Sequence, residues 1–272
     1  CSVNPSLRLV VGETTFAKGK RERDMSGYEF IKTETEGRLF IVTINRPDQL
    51  NCLHPMGNAE MGKAFDEFAA NPELWVAIVT GAGEKAFSAG NDLKFAASGQ
   101  KSPVPMPASG FGGLTSRYDL YKPVIAAVNG FAMGGGFEIA LAADIIIAAE
   151  NAKFALPEPR VGFAALASGM HRLPRQVPLK KAMGMMLTGR TVSAAEGKEI
   201  GFVTEVVPHA DHGPDQGGII GIDGNALHEG GGDFQLVDRK TFQIAQAGVA
   251  GTKIIDDQPD PHGLECPQHR YR

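Results

Sequence analysis

The chain has 272 residues, of which 43% are hydrophobic and 21% are charged, and its formal net charge is −4 at pH 7. This length and apolar content are sufficient for a substantial buried core, which is typical of a globular protein. The slightly acidic balance excludes a general electrostatic attraction to nucleic acid or to an anionic membrane, and no apolar run approaches the ~20 residues of a membrane-spanning helix.

Three cysteines, Cys1, Cys52 and Cys266, are scattered along the chain. They form neither a disulfide framework nor the closely spaced pairs of a metal site. We therefore expect a reducing compartment and a cytoplasmic protein.

The sequence predicts three segments. Residues 1–24 precede Met25 and are predicted to be a disordered extension, with a basic transit segment as the alternative. Residues 25–208 carry the periodicity of a folded core. Residues 209–272 are rich in glycine and lack a sustained helical period, which predicts an atypical, poorly ordered tail.

The core alternates strands and helices. Runs rich in β-branched and aromatic residues at 28–33 and 38–45 flank a polar turn and predict a hairpin. Apolar residues at three- and four-residue spacing then predict a helix over 56–70, followed by a buried strand over 75–80. The later predicted elements are strand 123–128, helix 137–143, strand 144–148, helix 179–187, helix 194–200 and strand 202–207. This alternation indicates an α/β architecture.

Two glycine-containing turns are candidates for binding an oxygen atom. One is centred on Ala89-Gly90-Asn91, and the other is Gly134-Gly135-Gly136, which opens a predicted helix. Backbone N–H groups in such turns can stabilise a developing negative charge, and the second turn adds the positive end of a helix dipole. The alternative for each turn is an ordinary strand-to-helix connection, since the main use of glycine is conformational.

Two carboxylic acids stand in otherwise apolar sequence. Glu138 lies between Phe137 and Ile139, where loss of hydration raises a carboxyl pKa and suits it to proton transfer. Its alternative is a first-turn acid that the helix dipole favours. Glu158 follows a predicted short strand, and its alternative is a solvated loop acid.

The segment from Ala96 to Gly113 is rich in serine, proline and glycine and predicts a loop beside the first turn. It is interpreted either as a mobile lid or as a solvated linker. Just before it, Asp92 is predicted to cap a short helix, and Asp144 is predicted to close a helix-to-strand junction.

Taken in order, the segments 87–94, 122–130, 134–138 and 157–158 resemble the successive signatures of the enoyl-CoA hydratase/isomerase (crotonase) superfamily. The resemblance is nearest to enoyl-CoA hydratases and carnitinyl-CoA dehydratases. It implies an α/β fold, a crotonase-like spiral of ββα units. The sequence of this chain has an atypical C-terminal tail in place of the family's usual helical region.

The resemblance also implies the roles of the site residues. The N–H groups of Asn91 and Gly135 are expected to form an oxyanion hole for a thioester oxygen. Glu138 and Glu158 are expected to hold one water, with Glu138 as base toward water and Glu158 as acid toward the α-carbon. Further substrate contacts are expected at Ser88, Ala89, Asp92, Leu93 and Lys94.

The partners follow from the same resemblance. The expected substrate is an acyl-CoA thioester, with no separate cofactor, no metal, no nucleic acid and no membrane. The family implies a homotrimer or hexamer.

The sequence departs from the family's pattern in two places. Residues 161–169 lack the Pro-Gly-x-Gly-Gly pattern of short-chain hydratases. The tail lacks amphipathic helices, which is typical of an incomplete or frame-shifted reading of a gene.

The sequence is compatible with four functions. Enoyl-CoA hydratase is the first, because both acids are present, and carnitinyl-CoA dehydratase is its nearest enzymatic alternative. A weakly active acyl-CoA-binding protein without its C-terminal helices is the third. RNA binding ranks last, because the helix over 56–70 carries Glu60, Asp66 and Glu67 against Lys63 alone.

Overall fold

The computed structural model describes residues 22–23 and 27–209 of the chain. The predictions made for residues 1–21 and 210–272 lie outside the described residues. Among the described residues, Glu22–Arg23 pairs with the strand Ile31–Glu36, so the last part of the predicted extension contributes to a sheet.

Eleven strands and six helices make up the described part of the chain. The strands are β1 (Glu22–Arg23), β2 (Ile31–Glu36), β3 (Leu39–Ile44), β4 (Val76–Gly81), β5 (Ala86–Ser88), β6 (Val124–Val128), β7 (Phe131–Met133), β8 (Ile145–Ala149), β9 (Lys153–Ala155), β10 (Val192–Ser193) and β11 (Glu205–Val207). The helices are α1 (Pro55–Ala70), α2 (Leu93–Ala97), α3 (Gly135–Ala142), α4 (Gly169–Gln176), α5 (Leu179–Thr188) and α6 (Ala194–Ile200). Three 3-10 turns lie at Pro47–Gln49, Phe111–Gly113 and Glu158–Val161.

The strands form two sheets. The larger has the order β1-β2-β3-β4-β6-β8-β11, and the smaller has the order β10-β9-β7-β5. Strands β1, β2 and β3 pair antiparallel, whereas β3, β4, β6, β8 and β11 pair in parallel. The central strand β6 is buried along its whole length, as its continuous run of apolar residues predicts for a parallel strand.

A repeating unit connects the two sheets. Strand β4 of the larger sheet is followed by β5 of the smaller sheet and then by α2, and β6, β7 and α3 repeat the same order. Strands β8 and β9 repeat it a third time before the chain enters α4. The ββα architecture that the resemblance implied is confirmed.

The predicted hairpin and most of the predicted helices and strands are confirmed to within a few residues. Helix α1 starts at Pro55, whose missing N–H costs nothing in a first turn, and His54 caps it by accepting a hydrogen bond from the Gly57 N–H. One face of α1 is buried in the core through Met61, Ala64, Phe65 and Phe68.

Helix α4 and strand β11 differ from the sequence-based expectation, and the short strands β1, β5, β7 and β10 were not predicted. Helix α4 was not predicted, and it contains Pro174 near its end, where proline normally argues against a helix. Strand β11 begins at Glu205 rather than at 202, because Phe202 and Val203 turn into the core against Gly197 of α6. Phe202 packs there with Phe137 of α3 and Phe154 of β9, with ring centroids 5.0 and 5.1 Å away.

A search of the described helices finds none that combines the length and the apolar character needed to cross a membrane.

Candidate active site

The turn at Ala89-Gly90-Asn91 follows β5 and is anchored to the segment that precedes α1. The Ala89 N–H donates to the Leu50 carbonyl, and the Ser88 hydroxyl donates to the Asn51 carbonyl over 2.8 Å. Ser88 is fully buried, and its oxygen also accepts from the Gly90 N–H. Each residue before Asn91 is therefore fixed by a hydrogen bond.

Asn91 is placed differently from its neighbours. It forms an isolated parallel bridge with Leu53, in which the Leu53 N–H donates to the Gly90 carbonyl and the Asp92 N–H donates to the Leu53 carbonyl. In such a bridge the central residue directs its own N–H and C=O away from the partner segment. The Asn91 N–H therefore faces away from Leu53, and Asn91 is exposed.

The second turn, Gly134-Gly135-Gly136, begins α3. Gly134 has a φ of +53°, a left-handed conformation that favours glycine, and its N–H donates to the Ala155 carbonyl at the end of β9. Gly135 is the first residue of α3, so its N–H has no acceptor within the helix. The positive end of the helix dipole adds to the attraction that this N–H exerts on an anionic oxygen.

The two turns contact each other directly. Gly90 has a φ of +86°, and a Cβ atom placed on it would lie 2.7 Å from the Gly135 nitrogen and 3.3 Å from the Gly136 nitrogen. Since no side chain fits between them, the backbone next to Asn91 lies against the first turn of α3. The structure thus brings the two predicted oxyanion-hole residues into one locality.

The end of the 96–113 loop covers this locality. Phe111 is buried, and a Cβ atom on Gly135 would come 2.5 Å from its ring. The neighbouring Gly112 N–H donates to the side chain of Asn58 on α1 over 2.7 Å. Residues 111–113 therefore pack as part of the core beside the site, whichever of the two interpretations holds for the rest of the loop.

Glu138 lies on α3, one turn after Gly134, and only 3% of its surface is exposed. Its Oε1 accepts a hydrogen bond from the Gly169 N–H over 2.8 Å. Burial raises the pKa of Glu138 to about 7, and the charge of Glu158 adds to this rise, against the opposing effect of the backbone at Gly169 and Ala167.

Glu158 lies in the 3-10 turn that follows β9. A Cβ atom on Gly134 would come 2.8 Å from its Oε1, so its carboxylate occupies the space that a side chain at position 134 would fill. Its Oε2 is buried and has no hydrogen-bond partner among the described residues. Burial raises the pKa of Glu158 as well, although a backbone hydrogen bond within its own residue opposes the rise.

The two carboxylates lie near each other at the start of α3. The Glu158 carboxylate lies against Gly134, and the carbonyl of Gly134 accepts the first backbone hydrogen bond of α3 from the Glu138 N–H. The charge of Glu158 also acts on the Glu138 carboxyl, since it raises the pKa of that group. The structure brings together four predicted residues: Asn91, Gly135, Glu138 and Glu158.

The remaining predicted substrate contacts lie along the segment 87–94. Leu93 and Lys94 are exposed on α2, and Ala89 is half-buried in the turn. The Asp92 carboxylate is engaged with the Phe95 N–H and with Arg46, and the Ser88 hydroxyl is engaged with the Asn51 carbonyl. The substrate contacts expected at these five residues stay predictions.

The sequence predicted a turn at Gly134 but not its contact with Glu158, and it gave no role to the Gly169 N–H or to Arg46. Gly134 provides the space for Glu158, the Gly169 N–H binds Glu138, and Arg46 binds Asp92. The triple glycine and the polar residues before α1 are visible in the sequence, but their long-range partners are not.

The likeness to known proteins agrees with this geometry. The model of the enoyl-CoA hydratase/isomerase family matches residues 34–213, about two thirds of the chain. The chain belongs to the enoyl-CoA hydratase/isomerase family. Members of this family act on acyl-CoA thioesters, which places the chain among enzymes of acyl-CoA chemistry.

Individual relatives divide between two activities. Carnitinyl-CoA dehydratases from Salmonella enteritidis and Salmonella typhi are 47% identical over 183 residues, which are 67% of this chain and 70% of theirs. The structure of a carnitinyl-CoA dehydratase from Mycobacterium avium is 41% identical with a TM-score of 0.64, covering 66% of this chain and 71% of that one. An enoyl-CoA hydratase from Bacillus anthracis is 32% identical with a TM-score of 0.62, covering 82% and 77%.

Proposed function

We propose that this family member catalyses the reversible syn addition of water to the 2,3 double bond of a 2-enoyl-CoA. The observation that carries the proposal is the proximity of the Glu138 and Glu158 carboxylates at the start of α3, beside the turn where Gly90 meets Gly135. One acid near an oxyanion hole would serve enolate chemistry in general, whereas a pair of acids is what addition of water requires.

In the proposed mechanism the thioester oxygen accepts hydrogen bonds from the N–H groups of Asn91 and Gly135. These donors are backbone groups fixed before the substrate arrives, so they stabilise the enolate without reorganisation. The loss of one such donor typically lowers the rate ~10²–10³-fold. As negative charge develops on the thioester oxygen, electron density moves away from the β-carbon. The β-carbon becomes electrophilic and accepts a nucleophile.

The carboxylates supply the proton transfers. Glu138 takes a proton from water as the water oxygen bonds to the β-carbon, and Glu158 gives its proton to the α-carbon. The substrate gains one water, and the cycle closes when the proton on Glu138 returns to Glu158. The reverse direction uses the same groups. Burial raises the pKa of both acids, and the charge of Glu158 further raises the pKa of Glu138, which suits the two groups to proton transfer.

The proposed reaction uses no cofactor, since coenzyme A is part of the substrate. The unpartnered Oε2 of Glu158 and the buried carboxylate of Glu138 supply the positions for water and for the transferred proton. The homotrimer or hexamer stays a prediction, which light scattering of the purified protein would check.

Carnitinyl-CoA dehydration is the second candidate, and the 47% identity to carnitinyl-CoA dehydratases favours it. It is the same chemistry run in reverse on an acyl group with a quaternary ammonium. The choice between the two depends on the acyl pocket. We infer that residues 161–169 contribute to it, because this segment follows Glu158 and ends at the Gly169 N–H that binds Glu138.

A panel of CoA thioesters tests the proposal. Hydration of crotonyl-CoA and of crotonobetainyl-CoA is followed by the loss of enoyl absorbance, and binding of each ester is measured in parallel. Turnover of crotonyl-CoA that is lost in Glu158→Gln supports the first candidate, and a preference for crotonobetainyl-CoA supports the second. Binding without turnover of any ester contradicts both and supports a CoA-ester-binding protein instead.

A further inference from the structure

The segment 46–53, which lies between β3 and α1, contacts the oxyanion turn along its length. Asn51 has a left-handed φ of +55° and is fully buried. Its side-chain nitrogen donates to the carbonyls of Ala82 and Ala86, and its side-chain oxygen accepts from the Arg46 N–H. The segment is therefore a fixed support and not a free loop.

Arg46 joins this support to the residue that follows Asn91. Its Nη1 donates to the Cys52 carbonyl over 2.7 Å and to the Asp92 Oδ2 over 3.0 Å. The two side chains of the ion pair are only 14% and 10% exposed. A single nitrogen thus holds both segments of the Leu53–Asn91 bridge at once.

Asp92 is fixed from a second direction. Its Oδ1 accepts the Phe95 N–H and caps α2, while its own N–H donates to the Leu53 carbonyl. Burial raises the pKa of this carboxyl, but the Phe95 N–H and the Arg46 guanidinium outweigh that effect and hold it below its usual value. The carboxylate is therefore ionised and paired at neutral pH.

The pairing register of this bridge determines where the Asn91 N–H points. Gly90 and Asp92 are bonded to Leu53 on either side of it, so any slip or widening of the bridge would rotate the peptide between them. The backbone hydrogen bonds alone are few, because the bridge is isolated and not part of a longer ladder. The Arg46–Asp92 ion pair beside the bridge therefore has a large effect on the geometry of the bridge.

We propose that the Arg46–Asp92 ion pair is a positioning element of the oxyanion hole, which fixes the Leu53–Asn91 bridge and so aims the Asn91 N–H at the thioester oxygen. This inference rests on the proposed function. Arg46 and Asp92 act through the backbone of Asn91 and do not contact the reacting atoms.

The positioning role predicts a loss of rate with little loss of binding. Displacement of a catalytic group by about 1 Å from a distant substitution lowers rates ~10²-fold. We expect Arg46→Met to lower kcat by this order while the dissociation constant of the CoA ester changes little. Because one nitrogen makes both bonds, the ammonium of Arg46→Lys reproduces them in part, and its kcat lies between those of the wild type and Arg46→Met.

The experiment measures kcat, KM and the absorption spectrum of a bound 2,4-dienoyl-CoA, whose maximum moves to longer wavelength when the carbonyl is polarised. The variants are Arg46→Met, Arg46→Lys, Asp92→Asn and the Arg46→Met/Asp92→Asn double variant. Arg38→Met is the matched control. Arg38 also forms an ion pair, with Glu73, and its guanidinium lies over the ring of Trp75, away from the site. Thermal unfolding of each variant shows whether it is folded.

The expected result is a reduced spectral shift and a reduced kcat in Arg46→Met and Asp92→Asn, no further loss in the double variant, and wild-type behaviour in Arg38→Met. If Arg46→Met does not fold, Arg46→Lys and Asp92→Asn decide by the same criteria. If the wild-type protein hydrates the ester and the variants keep its spectral shift and its kcat, the positioning role is overturned and the proposed function is retained. A wild-type protein that neither polarises nor hydrates the ester overturns the proposed function, and this inference with it.

Discussion

The oxyanion region and the carboxylate region of this site are built in opposite ways. The oxyanion region uses backbone N–H groups, and hydrogen bonds from Ser88, Leu53 and Arg46 fix the chain around them. The carboxylate region uses two side chains, and burial against apolar residues sets their protonation. The first region depends on geometry and the second on local polarity.

The difference shows which substitutions each region tolerates. A backbone donor has no side chain to replace, so it is disturbed only through its neighbours or by a Cβ atom at a glycine. A carboxylate can be replaced directly by an amide of nearly the same shape. Substitutions of the two kinds therefore separate oxygen binding from proton transfer.

The largest effect is expected from removing either carboxylate. Glu138→Gln and Glu158→Gln should each lower kcat for hydration by ~10²–10⁴-fold, since each removes a general acid or base. Glu199→Gln, an exposed acid on α6, is the matched control and should keep the wild-type rate. Full activity in either site variant would exclude the proposed roles.

The next largest effect is expected at Gly90. In Gly90→Ala the new Cβ atom would lie 2.7 Å from the Gly135 nitrogen, so the two turns must separate, and we expect a ~10²-fold lower kcat. Gly99→Ala is the control, because Gly99 has a similar φ of +70° with nothing within 4 Å of the added atom. Equal losses in the two variants would assign the effect to backbone strain rather than to the oxyanion hole.

A third effect concerns stability and is specific to the carboxylate region. The pKa of Glu138 is raised from 4.5 in the unfolded chain to about 7 in the folded protein, so the wild type loses stability as the pH rises through this range. Glu138→Gln removes the titration. Its free energy of unfolding should exceed that of the wild type by roughly 3 kcal/mol above pH 7, with the excess vanishing below pH 4.5.

Chemical denaturation at pH 5 and pH 8 measures this difference. A Glu138→Gln protein whose advantage does not grow between the two pH values would show that Glu138 is not a buried acid with a raised pKa. Glu138 would then be a first-turn acid that the helix dipole favours, which is the alternative that the sequence left open.

The smallest effect is expected at Ser168, which adopts a left-handed φ of +84° just before the Gly169 N–H that binds Glu138. Ser168→Gly keeps that conformation, whereas Ser168→Val disfavours it by about 1–2 kcal/mol. We expect Ser168→Val to weaken the bond to Glu138 and to raise its pKa, which moves the acidic limb of the kcat/KM profile upward. An identical profile in Ser168→Gly and Ser168→Val would contradict this role.

Much of the fold followed from local patterns. The hairpin, α1, the buried parallel strands and α3 have strong periodicity or continuous apolar runs, and each formed within a few residues of its predicted range. Helix α4 did not, because Pro174 hides it and its apolar content is low. Strands β5, β7 and β10 of the smaller sheet were not predicted, because they span two or three residues, too few for a period to show.

The site was predictable to a different degree in its two regions. The acids were visible because a charge in apolar sequence is conspicuous, and the glycine turns were visible as motifs. The pairing of Arg46 with Asp92 joins residues that are 46 positions apart in the sequence. The contact of Glu158 with Gly134 can be predicted only when the order of the strands is known. No local pattern carries such contacts, since they depend on which segments the sheets bring together.

The most direct test compares the spectrum of bound 2,4-dienoyl-CoA in Glu138→Gln and Gly90→Ala. If one region polarises the carbonyl and the other moves protons, Glu138→Gln keeps the shift to longer wavelength while it loses hydration, and Gly90→Ala loses both. A Glu138→Gln protein without the shift, together with a Gly90→Ala protein that retains it, would contradict the division of the site into these two regions.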